Sequence, residues 1–227
     1  MQGYTSLAAK RDFAPEDNEF HVGVFSVESG RVLIGDPCYR KGEGLHIDAK
    51  AENGLWTVYA RRDGRTIAQL RAYALHDRPV SFKIEHGAIP VDSGQAGVFD
   101  ADKYWNDDLV TVSQRQRLAS EKGFPFEAWA SDADRGYAPG QPMWWYSYVS
   151  SLSCSKNSAG TQTWGCVSSS GYGDGSYTAE LGYNEAGKLV AVAVDFMGDY
   201  EVGDEYEEEG DPWGEDEEDY GEYDDQE

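Results

Sequence analysis

Cysteine is scarce in this chain of 227 residues: Cys38, Cys154 and Cys166 stand far apart, and none belongs to a CxxC pair. Three such residues cannot staple a disulfide scaffold, and neither Cys154 nor Cys166 has a neighbouring His or Cys pair at zinc-ligand spacing. Long apolar runs are missing as well. Nothing approaches the roughly 20 residues that a bilayer-spanning helix needs. The opening MQGYTSLAAKRDFAPEDNEF holds no apolar core of a secretory leader, so a reduced, cytoplasmic protein without a membrane anchor is expected. Phosphate-cradling glycine loops, a GxSxG elbow and EF-hand spacing are all lacking. His21, His46, His76 and His86 are scattered with no catalytic signature, and Cys38 follows Pro37 at a turn, where a small buried thiol is the ordinary reading. Basic charge is the last shortage: 19 Lys and Arg stand against 42 Asp and Glu, for a formal net charge of −23.

That charge is unevenly distributed. Residues 199–227 hold 17 acidic side chains and no basic one, which leaves 25 acids against 19 bases in residues 1–198, a net of −6. Three zones follow: a polar N-terminal arm over 1–20, a β-rich globular domain over 21–198, and an acidic tail over 199–227. The tail has almost no aliphatic residues and dense like charge, so it cannot bury enough apolar surface to offset its ordering entropy and is expected to be disordered.

The middle zone reads as short strands broken by turn chemistry. HVGVFSVE and RVLIG flank Ser29-Gly30, a hairpin signal, and LWTVYARR and RTIAQLRAYAL flank Asp63-Gly64, a dipeptide that suits a type I′ turn. VSFKIEH (80–86) and IPVDSG (89–94) read as two more strands, with Pro90 demoting the second to an edge. The stretch from Asp100 to Gly123 is the helical candidate, with Leu109, Val112, Arg115 and Leu118 near helical spacing. MWWYSYVSSLSC (143–154) reads as a strand with an aromatic face, SKNSAGTQT (155–163) as a loop, and SYTAELGY and KLVAVAVDF as a hairpin across Asn184–Gly187. No internal repeat stands out. The expected fold is mainly β (a β-rich α+β class): an antiparallel sandwich or partly open barrel with a helical insertion.

Three segments place an Asp beside a strand end: Asp36-Pro37-Cys38-Tyr39, Val91-Asp92-Ser93-Gly94-Gln95, and Gly171-Tyr172-Gly173-Asp174-Gly175-Ser176-Tyr177. If those ends converge, Asp36, Asp92 and Asp174 form a carboxylate cluster able to hold a hard divalent cation. The competing reading is structural, because Asp before Pro or Gly forms turns through its own backbone. The order DPCY, then VDSGQ with VFD, then SGYGDGSY ahead of a last strand resembles a family of bacterial and phage-borne proteins known mainly as a domain of unknown function. The matching positions are Asp36, Cys38, Tyr39, Asp92, Gly94, Gln95, Gly173, Asp174, Gly175 and Tyr177. The resemblance covers about residues 20–197 and implies no secure activity; the acidic tail lies outside it.

The tail offers its own chemistry. Fully extended, 29 residues reach roughly 95 Å at about 3.3 Å each. Seventeen charges then fall about 5.6 Å apart, against roughly 3.4 Å per phosphate along one DNA strand. Tyr200, Tyr206, Trp213, Tyr220 and Tyr223 punctuate acidic runs such as Glu207, Glu208 and Glu209, and Glu217 and Glu218. Anions interleaved with rings are what a single strand presents to its binders. The leading expectation is therefore a non-catalytic interaction protein that engages a basic protein surface, either a nucleic-acid-binding protein or a toxin, by nucleic-acid mimicry. No cofactor is expected. The alternatives are a metal-assisted hydrolase or small-ligand binder built on Asp36, Asp92 and Asp174 with a divalent cation, and a single-strand nucleic-acid binder whose basic hairpin (Arg61, Arg62, Arg65, Arg71) is covered by the tail. The net negative body argues against direct nucleic-acid binding.

Overall fold

A computed structural model describes residues 18–106 and 144–197. The chain runs β1 (Glu19–Val27), β2 (Arg31–Gly35), β3 (Ile47–Lys50), β4 (Gly54–Asp63), β5 (Thr66–Ala74), β6 (Ser81–Val91), β7 (Gln95–Asp100), α1 (Trp144–Ser153), β8 (Ala159–Gln162), β9 (Gly165–Ser169), β10 (Gly175–Tyr183) and β11 (Leu189–Asp195). All ladders between these strands are antiparallel. They form a six-stranded sheet, β1-β4-β5-β11-β10-β6, and a five-stranded sheet, β3-β2-β7-β9-β8. The two sheets make an open sandwich, not a closed barrel.

Alternation builds the core. Trp56, Val58 and Ala60 of β4, Leu70 and Ala72 of β5, and Val192 and Val194 of β11 point inward, where they meet Val32, Ile34, Ala96, Val98 and Cys166 of the second sheet. A hairpin forms at Asp63-Gly64, but its turn is shifted by one residue. Asp63 pairs with Thr66, so the two-residue loop is Gly64-Arg65, with Gly64 (φ 58°) at the first central position where a type II′ turn takes glycine, instead of the type I′ turn expected of Asp-Gly. The β10–β11 hairpin is also as expected, and Pro90 does lie on an edge strand.

Several expectations are corrected. Ser29-Gly30 does not close a hairpin; it carries the chain from β1 in one sheet to β2 in the other. VSFKIEH and IPVDSG are one strand, β6, not two. The loop 155–163 contains β8, and β3 and β9 carried no clear sequence signal. Asp100 ends β7 and leads into turns over 101–105 instead of starting a helix; Leu109, Val112, Arg115 and Leu118 lie outside the described residues.

The aromatic segment 143–154 is a helix over Trp144–Ser153, not a strand. Strand propensity of Trp, Tyr and Val loses here to periodicity. Trp145, Tyr148, Val149 and Leu152 fall at i, i+3, i+4 and i+7, the helical stripe, and all four are buried against Leu33, Phe99 and Val167 on the outer face of the five-stranded sheet. Trp145 stands edge-on to Phe99 at 5.3 Å and to Tyr104 at 4.8 Å between ring centroids. Gly97 and Gly165 make that seat possible, since a Cβ on either would run into the Phe99 ring.

Candidate functional site

The three sequence motifs do converge, at the end of the sandwich where β2 stops and β7 and β10 begin. The backbone carbonyl of Gly94 accepts from Ser170 N–H at 3.0 Å, and Gly94 lies against the Cα of Gly173. The chemistry at the junction is a joint between loops.

Asp36 is its centre. The carboxylate is fully buried. Oδ1 accepts the N–H of Cys38 at 2.8 Å and the hydroxyl of Ser93 at 2.5 Å, while Oδ2 accepts the N–H groups of Asp92 and Ser93, both at 2.8 Å. A carboxylate buried among charge-assisted donors is the arrangement that offsets its desolvation.

The same device occurs a second time. Asp100 is fully buried; its Oδ2 accepts the N–H groups of Glu28 (2.6 Å) and Ser29 (2.8 Å), and its Oδ1 those of Asp102 (2.9 Å) and Lys103 (3.3 Å). Aligning the two segments exposes a repeat that inspection of the sequence missed: Val27-Glu28-Ser29-Gly30 through Asp36, and Val91-Asp92-Ser93-Gly94 through Asp100. Each is an acid-Ser-Gly turn, a strand and a closing Asp. Gly30 (φ 71°) and Gly94 (φ 67°) both take the left-handed conformation that favours glycine. Strands β2 and β7 pair antiparallel, so the Asp closing each repeat reaches the turn that opens the other. The repeat escapes notice because only four positions carry it and an acid of either kind serves, the bonds being to backbone N–H groups.

The other motif residues complete the joint. Gln95 is buried; its Oε1 accepts the Ser153 hydroxyl at 2.7 Å and its Nε2 donates to Ser150 Oγ at 2.9 Å, which ties β7 to α1. The Tyr177 hydroxyl lies 2.7 Å from the carbonyl of Gly173 and 3.0 Å from that of Ser170, closing the loop before β10. Gly173 and Gly175 have φ of 113° and 156°, backbone conformations that residues with a side chain rarely adopt, although the space around Gly173 is open. Asp92 is exposed and its carboxylate accepts from the Tyr39 hydroxyl, whose pKa that bond raises first, with burial adding to it. Asp174 is exposed.

Sequence reasoning missed the neighbours that frame this joint. The Tyr104 hydroxyl lies 2.7 Å from the Tyr39 carbonyl, and His46 Nε2 lies 2.8 Å from that hydroxyl and 3.1 Å from the Asp36 carbonyl. A carbonyl only accepts, so Nε2 carries the proton in the bond to Asp36. Burial lowers the His46 pKa, with its backbone bond to Asp36 opposing. Trp105 stacks on Tyr146, its plane within 3°, and receives the Arg40 guanidinium on its ring.

This arrangement leaves little free chemistry. Burial first, then the Asp36 charge, pushes the Cys38 thiol up to about 12, so it stays protonated and a poor nucleophile at neutral pH. Both oxygens of Asp36 are engaged by protein donors. Among the described residues, no group of three or more His, Cys, Asp and Glu side chains is placed to hold a metal ion. In the basic hairpin, two of the four arginines are engaged and Arg65 is exposed. Arg71 is buried and ion-paired to Glu19, and Arg62 donates to the carbonyls of Arg65 and Asn157 while lying over the Phe20 ring. A depression of about 110 Å³ lined by Glu52, Leu75, His76 and Asp77 sits at the opposite end of the strands, well under the size of an ordinary ligand cleft. Among the described residues, no helix is long and apolar enough to cross a membrane.

Tyr206, Glu207, Glu208, Glu209, Trp213, Glu217, Glu218, Tyr220 and Tyr223, the expected interaction residues, lie outside the described residues. The resemblance to a family of bacterial and phage-borne proteins rests on the short motifs alone. No family model matches the chain, and no curated protein or solved structure was found to match it.

Proposed function

We propose that this chain is a non-catalytic binding protein that engages a basic protein surface through residues 199–227, with nucleic-acid mimicry as the mode of recognition. One observation carries the reading: 17 acids and no base in 29 residues, interleaved with Tyr200, Tyr206, Trp213, Tyr220 and Tyr223, beside a body whose net charge is only −6. Charge of one sign at that density attracts a cationic groove over distance, and the rings supply faces for the aromatic side chains that line single-strand sites. What supports binding over catalysis is the spending of the body's polar motifs on its own loops. Asp36, Ser93, Gln95 and Tyr177 bond to neighbouring chain, and the Cys38 thiol is held protonated.

The test is titration of the full chain, and of the chain lacking 199–227, into a basic single-strand-binding domain of the OB-fold type. Binding by the full chain alone, competed by a single-stranded oligonucleotide and weakening steadily with salt, is the expected result. Equal binding by the truncated chain would overturn the proposal, as would binding that an oligonucleotide does not compete.

A further inference from the structure

Among the described residues the sandwich has four strands at sheet edges, and three of them are guarded. Edge strands expose unpaired N–H and C=O groups and are ordinarily shortened, charged or covered. β1 is tied across the sandwich to the chain after β8 by the Ser26 N–H to Thr163 carbonyl bond at 2.8 Å, which guards both. β3 has four residues and carries the Arg31–Asp48 ion pair beside it. β6 is different. Among the described residues it is the longest strand, it closes the six-stranded sheet, and five of its first six residues are exposed. Val80 (60% exposed), Phe82 (37%) and Ile84 (47%) stand on one side of it, three large apolar side chains in water.

We infer that this edge is a self-pairing surface, and that its partner is β6 of a second copy of the chain, antiparallel, about a two-fold axis through Ile84. The charges select that register. With Ile84 opposite its own counterpart, Lys83 faces Glu85 of the second copy and Glu85 faces its Lys83, while Phe82 meets His86. Moving the axis one residue either way removes both ion pairs. An axis through Lys83 opposes two lysines, and one through Glu85 opposes two glutamates. Opposite charges directly across an antiparallel pair stabilise it, and like charges destabilise it. Within one copy Lys83 Nζ and Glu85 lie 2.5 Å apart, already on the same face of the strand. The pairing ends at Gly87, whose φ of 60° leaves the extended conformation. Five residues a side fall well short of a standard interface, so the dimer is weak and reversible. The formal charge of −23 on each copy opposes it, so it strengthens as salt screens that repulsion, the reverse of the behaviour proposed for the tail. The two proposals stand independently.

Sedimentation equilibrium of the full chain across a concentration series, at about 0.15 M salt where the screening length is about 8 Å, tests it. Lys83→Glu and Glu85→Lys should each weaken self-association about tenfold, since each turns two attractive cross-strand pairs into repulsive ones. Mixing the two variants should restore association as a heterodimer, and the double variant should dimerise like the parent chain. Restoration in the mixture is the signature, because a folding defect would not be rescued by an equally substituted partner. A monomer at every concentration overturns the proposal, as do single variants that associate like the parent, or a mixture no stronger than either variant.

Discussion

Asp36→Asn tests the reading of the motif cluster as a joint. Asparagine keeps one acceptor oxygen and turns the other into an N–H donor facing donors. In one orientation it confronts the Asp92 and Ser93 N–H groups; in the other it confronts the Cys38 N–H and the Ser93 hydroxyl, which can rotate to accept. The second orientation is the cheaper, and it still leaves one buried N–H unmet and removes the charge from the remaining bonds. Each buried unmet donor costs roughly 1–3 kcal/mol, and bonds to a charged acceptor are worth more than neutral ones, which gives about 2–4 kcal/mol in all. Asp100→Asn has no cheap orientation, because all four of its donors are backbone N–H groups. It should cost at least as much. Asp92→Asn and Asp174→Asn, at exposed carboxylates, should stay within about 0.5 kcal/mol of the parent. Urea unfolding reads this order directly. With a slope of about 2 kcal/mol per molar, the Asp36→Asn midpoint should fall by about 1–2 M with the slope unchanged. If Asp36→Asn unfolds with the parent, or if Asp92→Asn and Asp174→Asn cost as much as it does, the joint is wrong. A midpoint raised by millimolar Ca²⁺ in the parent and not in Asp36→Asn would assign Asp36 to a cation instead.

Two further outcomes follow from the same geometry. In iodoacetamide labelling of the folded chain at pH 7.5, exposed Cys154 should react first; Cys38 and the buried Cys166, both pushed up to about 12 chiefly by burial, should react only on unfolding. Fast labelling of Cys38 would contradict its assignment as an inert thiol. His46, lowered by burial from 6.5, binds fewer protons in the folded than in the unfolded state just below that pH, so its contribution is complete above pH 6.5 and stability falls as pH drops through it. Urea midpoints at pH 7.5, 6.0 and 5.0 should fall less steeply in His46→Gln than in the parent; equal slopes would assign the acid sensitivity elsewhere.

Much of this protein is set by local chemistry and is therefore readable from the chain. Alternation in Trp56, Val58 and Ala60, the hairpin at Asp63-Gly64 and the Asn184–Gly187 connection each depend on a few neighbouring residues, and each forms, the first hairpin with its turn one residue further on. The charge division between residues 1–198 and 199–227 is a property of composition alone. Tertiary contacts decided the rest. Ser29-Gly30 has hairpin chemistry, yet the Asp100 carboxylate, 72 residues from Glu28 and 71 from Ser29, takes the N–H groups of both, and the chain passes into the other sheet. Trp144–Ser153 has strand-forming residues, but the face of Leu33, Phe99 and Val167 rewards a 3.6-residue stripe, so packing overrides propensity. The three Asp motifs were visible as a set, and their convergence is real. That Asp36 meets the N–H groups of Asp92 and Ser93 depended on which loop lay opposite, and the register of β2 against β7 places that loop.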